Sequence, residues 1–534
     1  MKRVVLGLMA AGLAGCVSGQ NATNGAFRFI NAVADSARMS LTVDEEVRAA
    51  GFDYTNGSSF IALRAGTYEI SLQESLPRID TDDDGDVDID DEENLYTVQL
   101  GGLANIDLDA NVELTYIVAG SHGAEQVLAI EASTERVPTG QARVQVAHAA
   151  AGVAAVDVYI AAQDVEEVTG LVPFESGIGY LEAGDERLRQ AGAVRLLITA
   201  AGDDEVLFDS GNIALQLEGS PLFAVVPNTG LDAGQFPVIV VLATGGGSVP
   251  LIDIRSQGNY RFVNASSGAY AIDTFVTRLV PDPEADDDEI PAAVCPATTV
   301  RQACPVAGNE TFLASYCALP YESIQAEFVA IEANYSVDWP NIDDPLTLAN
   351  YCLKVQISDP STLIVKNLQG SFLRGSQATL VLNERPPTDA TTSDVELDTF
   401  TTTRPIAPFG QLRLVTYSEG LDAAISGDPT TDRIDIFITE EPGDPLDDDA
   451  RFRFESRRFG SDAGYVSILP GDYRLSIAKV DPADEDNVPV VLYAADVTIG
   501  GGGVYTLLFG DTVAGVLPVR VLSLEDDTGL TPVP

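Results

Sequence analysis

An all-β chain, arranged as a tandem row of four β-sandwich domains, is what these 534 residues predict. Three observations lead there: period-two hydrophobic alternation, a set of segments that returns four times, and weak helical periodicity throughout. Alternating apolar and polar residues mark strands with one buried face. Four opening strands align as FRFIN at 27–31, VQVAH at 144–148, YRFVN at 260–264 and LRLVT at 412–416. Each ends on a polar side chain: Asn31, His148, Asn264 and Thr416. Eight residues further on, three copies begin a second strand, MSLTV at 39–43, VDVYI at 156–160 and IDTFV at 272–276. The fourth copy reaches IDIFI at 434–438 after a ten-residue insertion.

A third piece also repeats, FIALRAGTYEI at 60–70 against YVSILPGDYRL at 465–475. Gly66 and Gly471 are expected at the turn between two strands, where a positive φ would be tolerated, with Gly192 in the second copy and Asn334 in the third. Late strands follow at 114–118, 222–226, 378–382 and 505–509. Short strands with frequent turn signals, in units of about 110–145 residues, are the pattern of sandwiches.

In chain order, the first element is not part of this array. Lys2 and Arg3 precede an apolar stretch at 4–13, too short to span a bilayer, and the segment closes on Leu13-Ala14-Gly15-Cys16. That ending resembles a bacterial lipoprotein box, which implies cleavage after residue 15 and an acylated Cys16. Val17 stands next to it instead of an aspartate, so the resemblance implies an outer-membrane anchor, facing the periplasm or the cell surface. The expected organisation is then a signal peptide at 1–15, a lipidated tether at 16–25, and sandwiches at 26–136, 140–254, 258–404 and 408–524. A tail at 525–534 closes the chain. Within the third sandwich, residues 281–327 form a cysteine-bearing excursion.

The strand motifs, taken together, resemble a bacterial family, domain of unknown function forty-three ninety-seven. Its members open with an R-h-x-N-A strand, continue with a D-V-Y-V strand and later carry an aromatic-x-x-h-x-x-G-x-Y turn. Here the pieces are Arg28 to Ala32, Arg261 to Ala265, Asp157 to Ile160, Asp435 to Ile438 and Phe60 to Tyr68. The resemblance implies an immunoglobulin-like β-sandwich in each of four copies, and it lends no catalytic residues.

Charge narrows the function classes. With 81 acids against 30 bases the chain carries −51, so nucleic acid is not an expected partner. A 45% apolar content argues for folded domains with acidic surfaces and against a disordered acidic chain. Membrane attachment must then come from the lipid.

Explicit chemistry is concentrated at 80–91, DTDDDGDVDIDD, which fits a calcium loop. Asp80, Asp82 and Asp84 take positions one, three and five, Gly85 the sharp turn at six, and Asp86 offers its carbonyl at seven. Asp88 acts through water at nine, and Asp91 stands where glutamate usually closes the loop. The expected role is a structural calcium ordering a hairpin tip, against the simpler reading of a solvated acidic loop. Cys295, Cys304, Cys317 and Cys352 are expected as two disulfides of an exported protein. Among three possible pairings, Cys295–Cys304 with Cys317–Cys352 is preferred. Tyr316, Tyr321, Tyr335 and Trp339 gather near them as a possible binding surface for glycan or protein, or as a small local core.

The chain has two histidines. His148 replaces the Asn of other copies and is expected to make a structural hydrogen bond. His122, in Gly120-Ser-His-Gly123, has no nucleophile elbow beside it. The sequence therefore predicts a non-enzymatic envelope protein for binding, adhesion or scaffolding. The alternative is an extracellular hydrolase using paired carboxylates on polysaccharide or peptide.

Overall fold

The computed structural model describes residues 23–75, 95–97, 105–265, 271–281, 293–295 and, with short gaps, 314–525. Strand dominates, and Glu419–Ala423 is the single helix among the described residues. No helix among them is long and apolar enough to cross a membrane. The architecture is a tandem array of β-sandwiches, as the alternation predicted.

Each sandwich uses one plan. In the first, strands Ile61–Arg64, Asn24–Val33, Glu113–Gly120 and Gln126–Ala132 form one sheet in that order. The facing sheet runs Glu46–Phe52, Met39–Val43, Gly66–Ser75 and Leu95–Thr97, with Asn105–Leu108 also paired to Gly66–Ser75. The opening strand lies parallel to the late strand, Phe27 opposite Leu114. The same parallel pair recurs at Val146↔Phe223, Phe262↔Leu380 and Leu412↔Tyr505. A parallel pair cannot be joined by a hairpin, so the chain must cross to the second sheet and back between the two strands. That crossing creates the two layers.

The alternation predicts one wet face for each opening strand, and here the structure differs. Asn24–Val33 is buried along nearly its whole length. Phe27, Phe29 and Val33 enter the core of the first sandwich with Leu41, Ile70, Leu72 and Val118. Ile30 and Ala32, on the other face, pack with Ala147, Ala149, Ala224 and Val241 of the second sandwich. Arg28 crosses this seam: its Nε donates to Thr115 Oγ1 at 2.9 Å, and Nη1 donates to the Thr244 carbonyl. Tyr54 likewise donates to the Pro227 carbonyl.

The chain divides into two compact units, one mainly of residues up to Asp253 and the other mainly from Ile254 onward. Each holds a pair of sandwiches. In the second unit the seam joins Val263, Val381 and Phe400 to Val415, Tyr417 and Leu508. Tyr417 donates to Asp398 at 2.8 Å across it.

One sequence expectation is corrected. The structure joins Cys295 to Cys352, with Cα atoms 5.2 Å apart, and not to Cys304. The reason is local. Val280 pairs with Val294, which returns the chain to the end of strand Ile272–Arg278, where Thr277 already faces Cys352. With Cys352 taken by Cys295, the preferred Cys317–Cys352 pair is excluded as well; Cys317 is also disulfide-bonded. Cys304 lies outside the described residues.

The glycines of the third motif have a more specific setting. Gly192 uses the tolerance, with φ of 140°, and Gly66 and Gly471 are not among the positive-φ residues. They begin strands Gly66–Ser75 and Gly471–Val480. A Cβ at Gly471 would lie 3.4 Å from the Tyr473 ring, and one at Gly66 3.8 Å from the Tyr68 ring. Both tyrosines fold back to donate to carbonyls four residues upstream, Arg64 and Leu469, each at 2.8 Å. The G-x-Y motif is thus a tyrosine corner, in which even a Cβ at the glycine would meet the ring at ordinary contact distance. Asn334 lies outside the described residues.

Candidate functional site

Most polar motif residues are consumed by the fold. Asn31 Oδ1 accepts from Val33 N at 3.0 Å and its Nδ2 donates to Ser36 Oγ at 2.9 Å. His148 does the same work with a ring: Nδ1 accepts from Ala150 N at 3.2 Å, and Nε2 donates to the Ala154 carbonyl at 3.0 Å. That pattern requires the neutral Nε2–H tautomer, and burial pulls the imidazole below its ordinary value. Asn264 donates to the Leu319 carbonyl at 3.0 Å. Asp157 accepts from Gly177 N and Gly202 N at 2.7 and 2.8 Å. Asp435 is held by Arg433 and Arg453. The structural hydrogen bond expected of His148 is there.

His122 is placed differently. Strands Glu113–Gly120 and Gln126–Ala132 are joined by a tight loop in which Ala124 N donates to the Ser121 carbonyl at 2.8 Å. Gly120 and Gly123 have φ of 108° and 79°, and a Cβ on Gly120 would meet the Ala124 carbonyl at 2.6 Å. Two glycines therefore set the loop, and Asp35 fixes it by accepting from His122 N at 2.9 Å.

The loop carries His122 and Glu125 over the end of the facing sheet, where Glu74 stands near the end of strand Gly66–Ser75. His122 Nδ1 lies 3.2 Å from Glu74 Oε2, which also accepts from Ala37 N at 3.0 Å. Glu125 Oε1 accepts from Gly123 N at 2.8 Å. One ligand atom from each of Glu74, His122 and Glu125 falls within 4.8 Å of the others. The Glu74 side chain is fully buried, and its Oε1 has no hydrogen-bond partner among the described residues. Burial pushes the Glu74 carboxyl above the usual carboxylate range, against the Ala37 amide and His122, which pull it down.

Sequence reasoning passed over this trio, because 48 residues separate Glu74 from His122. Sheet register shows how distinctive it is. Glu74 faces Met39, and the matching positions in the other copies are Ala200 facing Val156, Ile357 facing Ile272 and Lys479 facing Ile434. The fold does not require a carboxylate there.

The sequence-predicted sites fall mostly elsewhere. Cys16 and the calcium-loop residues Asp80, Asp82, Asp84, Asp86, Asp88 and Asp91 lie outside the described residues. The loop is flanked by an antiparallel pair, Ser75 facing Leu95. Tyr316 and Tyr335 lie on strands facing Thr274 and Leu348; their side chains, with Tyr321 and Trp339, are outside the described residues. Tyr351 from the same region is buried in the core of the third sandwich.

These features define a β-sandwich module whose shared motifs are structural and whose first copy carries an added cluster. Residues 25–159 match the family described as Domain of unknown function (DUF4397), so the resemblance read from the strand motifs holds over that segment. The match covers the first sandwich and the opening strand of the second, Gln141–His148, and ends within the next strand, Val156–Ala161. No curated protein matches the chain.

Proposed function

We propose that this is a non-enzymatic, lipid-anchored protein of the bacterial envelope, whose paired sandwiches act in binding, adhesion or scaffolding. The reading is supported above all by what the repeated motifs do. Arg28, Asn31, His148 and Asp157 spend their polar atoms on backbone and neighbouring side chains, so these motif residues serve the scaffold. The N-terminal segment ending at Cys16 supplies the anchor, and an acidic surface suits a soluble ectodomain. Calcium at Asp80, Asp82, Asp84, Asp86, Asp88 and Asp91 orders the hairpin tip of the first sandwich. Ligands would be glycan or protein, with nucleic acid disfavoured by charge.

The test is made on the full chain in a bacterial host. Labelled palmitate should enter the wild type and recover in the membrane fraction, while Cys16→Ser should be unlabelled. The purified chain, probed on glycan and protein arrays with and without calcium, should retain a ligand without altering it. Equal labelling of both forms would overturn the anchor. Turnover of an arrayed polysaccharide or peptide would replace the binding role with the hydrolase.

A further inference from the structure

We propose that Glu74, His122 and Glu125 form a binding site for a divalent transition-metal ion of the zinc class, built on the end of the first sandwich. The donor set is one imidazole nitrogen and two carboxylates. Imidazole favours zinc and its first-row neighbours over calcium or magnesium, which take oxygen ligands. Zinc bonds of about 2.0–2.1 Å at a tetrahedral angle would set two donor atoms about 3.3 Å apart. His122 Nδ1 and Glu74 Oε2 are 3.2 Å apart, so with its proton on Nε2 the imidazole can ligate through Nδ1 beside that oxygen.

A second observation is independent of the cluster's composition. Glu74 is fully buried, and Oε1 accepts no hydrogen bond from the described residues. An oxygen of this kind is expensive to bury without a partner, and a bound cation supplies one. The neighbouring Glu125, only 7% exposed, adds a like charge that the cation would also balance.

Support around the ligands has the form of a prepared site. Ala37 N orients the Glu74 carboxylate, Gly123 N orients Glu125, and Asp35 holds the His122 backbone. Three protein ligands leave a fourth position of a tetrahedral ion for water or for a donor from a bound partner. The three other copies place Ala200, Ile357 and Lys479 at the Glu74 position, so the site belongs to the first copy alone among those positions.

The site is independent of the calcium loop and of the lipid anchor, and the test separates them. The full chain, stripped with a chelator, is titrated calorimetrically with zinc chloride in the presence of excess calcium. One zinc per chain should bind, since calcium competes poorly for a site containing imidazole. His122→Ala and Glu74→Gln should each weaken binding at least about 10–100-fold, the loss found even when a supporting group is removed. Asp82→Asn with Asp84→Asn should leave zinc binding unchanged. With two histidines in the chain and His148 buried, diethyl pyrocarbonate reports on His122, and zinc should protect it. Glu125→Gln, in the loop before strand Gln126–Ala132, serves if Glu74→Gln fails to fold. Absence of zinc binding by the wild type, or equal affinity in the wild type and His122→Ala, overturns the site.

Discussion

The first and fourth sandwiches close the same end in opposite ways. In the first, a short turn follows Asn31, and the end is lined by Glu74, His122 and Glu125, with one buried carboxylate oxygen unpartnered among the described residues. In the fourth, the ten-residue insertion contributes helix Glu419–Ala423, whose Leu421 enters the core. Ser418 caps the helix by accepting from Leu421 N at 3.0 Å and itself donates to Asp511. Lys479, in the place of Glu74, donates to the Ala424 carbonyl and to Asp432, each at 2.8 Å. One end is plugged by its own helix, with the lysine paired from within. The other keeps an acidic trio with an oxygen to spare. An insertion in one loop supplies the plug of the fourth sandwich, whereas Glu74, His122 and Glu125 line the end of the first.

Leu421→Ala should have the largest effect on this contrast. It removes the plug and should cost the fourth sandwich about 2–5 kcal/mol, read from the urea midpoint of the second unit's transition. No change in that midpoint would mean that the helix is decoration. Asn31→Ala, at the tight turn of the first copy, leaves Val33 N and Ser36 Oγ short of a partner and should cost about 1–3 kcal/mol in the first unit.

The second copy extends the comparison through pH. Burial depresses the His148 imidazole in the folded chain, so the unfolded chain binds the proton more readily. Its contribution is complete above the unfolded value, about 6.5, and is lost as pH falls below it. His148→Asn, which restores the side chain of the first and third copies, should fold and flatten this acid-side loss in a pH series of denaturation midpoints. A variant as acid-sensitive as the wild type there would remove the histidine from the account. Thr416→Val should be the smallest change. Thr416 is buried, and its Oγ1 has no partner among the described residues. Exchanging that hydroxyl for a methyl should leave stability equal or raise it by up to about 1 kcal/mol, whereas a loss larger than that would show that the hydroxyl has a use.

The strands were legible because period-two alternation is a local property, visible in FRFIN or VDVYI without knowing the partner strand. The parallel pairing and the crossing to a second sheet follow less directly. The seams were not legible: Ile30, Ala32, Ala147 and Ala149 are small or apolar residues on a face that alternation assigns to water. Only the neighbouring sandwich explains them. The cysteine pairing escaped for a similar reason. Proximity in sequence favours Cys295–Cys304, but the Val280–Val294 pairing carries Cys295 to strand Asn350–Ile357 instead. The Glu74–His122–Glu125 trio comes from register, with Met39 opposite Glu74, and from a loop shaped by two glycines. Neither leaves a spacing signature of the kind that marks the loop at 80–91.

The seams have a consequence for recognition. Because apolar side chains lock one sandwich onto the next within each unit, the angle between the two is set before any ligand arrives. A partner broad enough to touch both members of a pair would meet a ready-made template and avoid the ordering entropy of closing a hinge. Its grip would depend on shape fixed in advance, and loosening the Ala-rich seam would be felt as weaker retention of the partner well before either sandwich came apart.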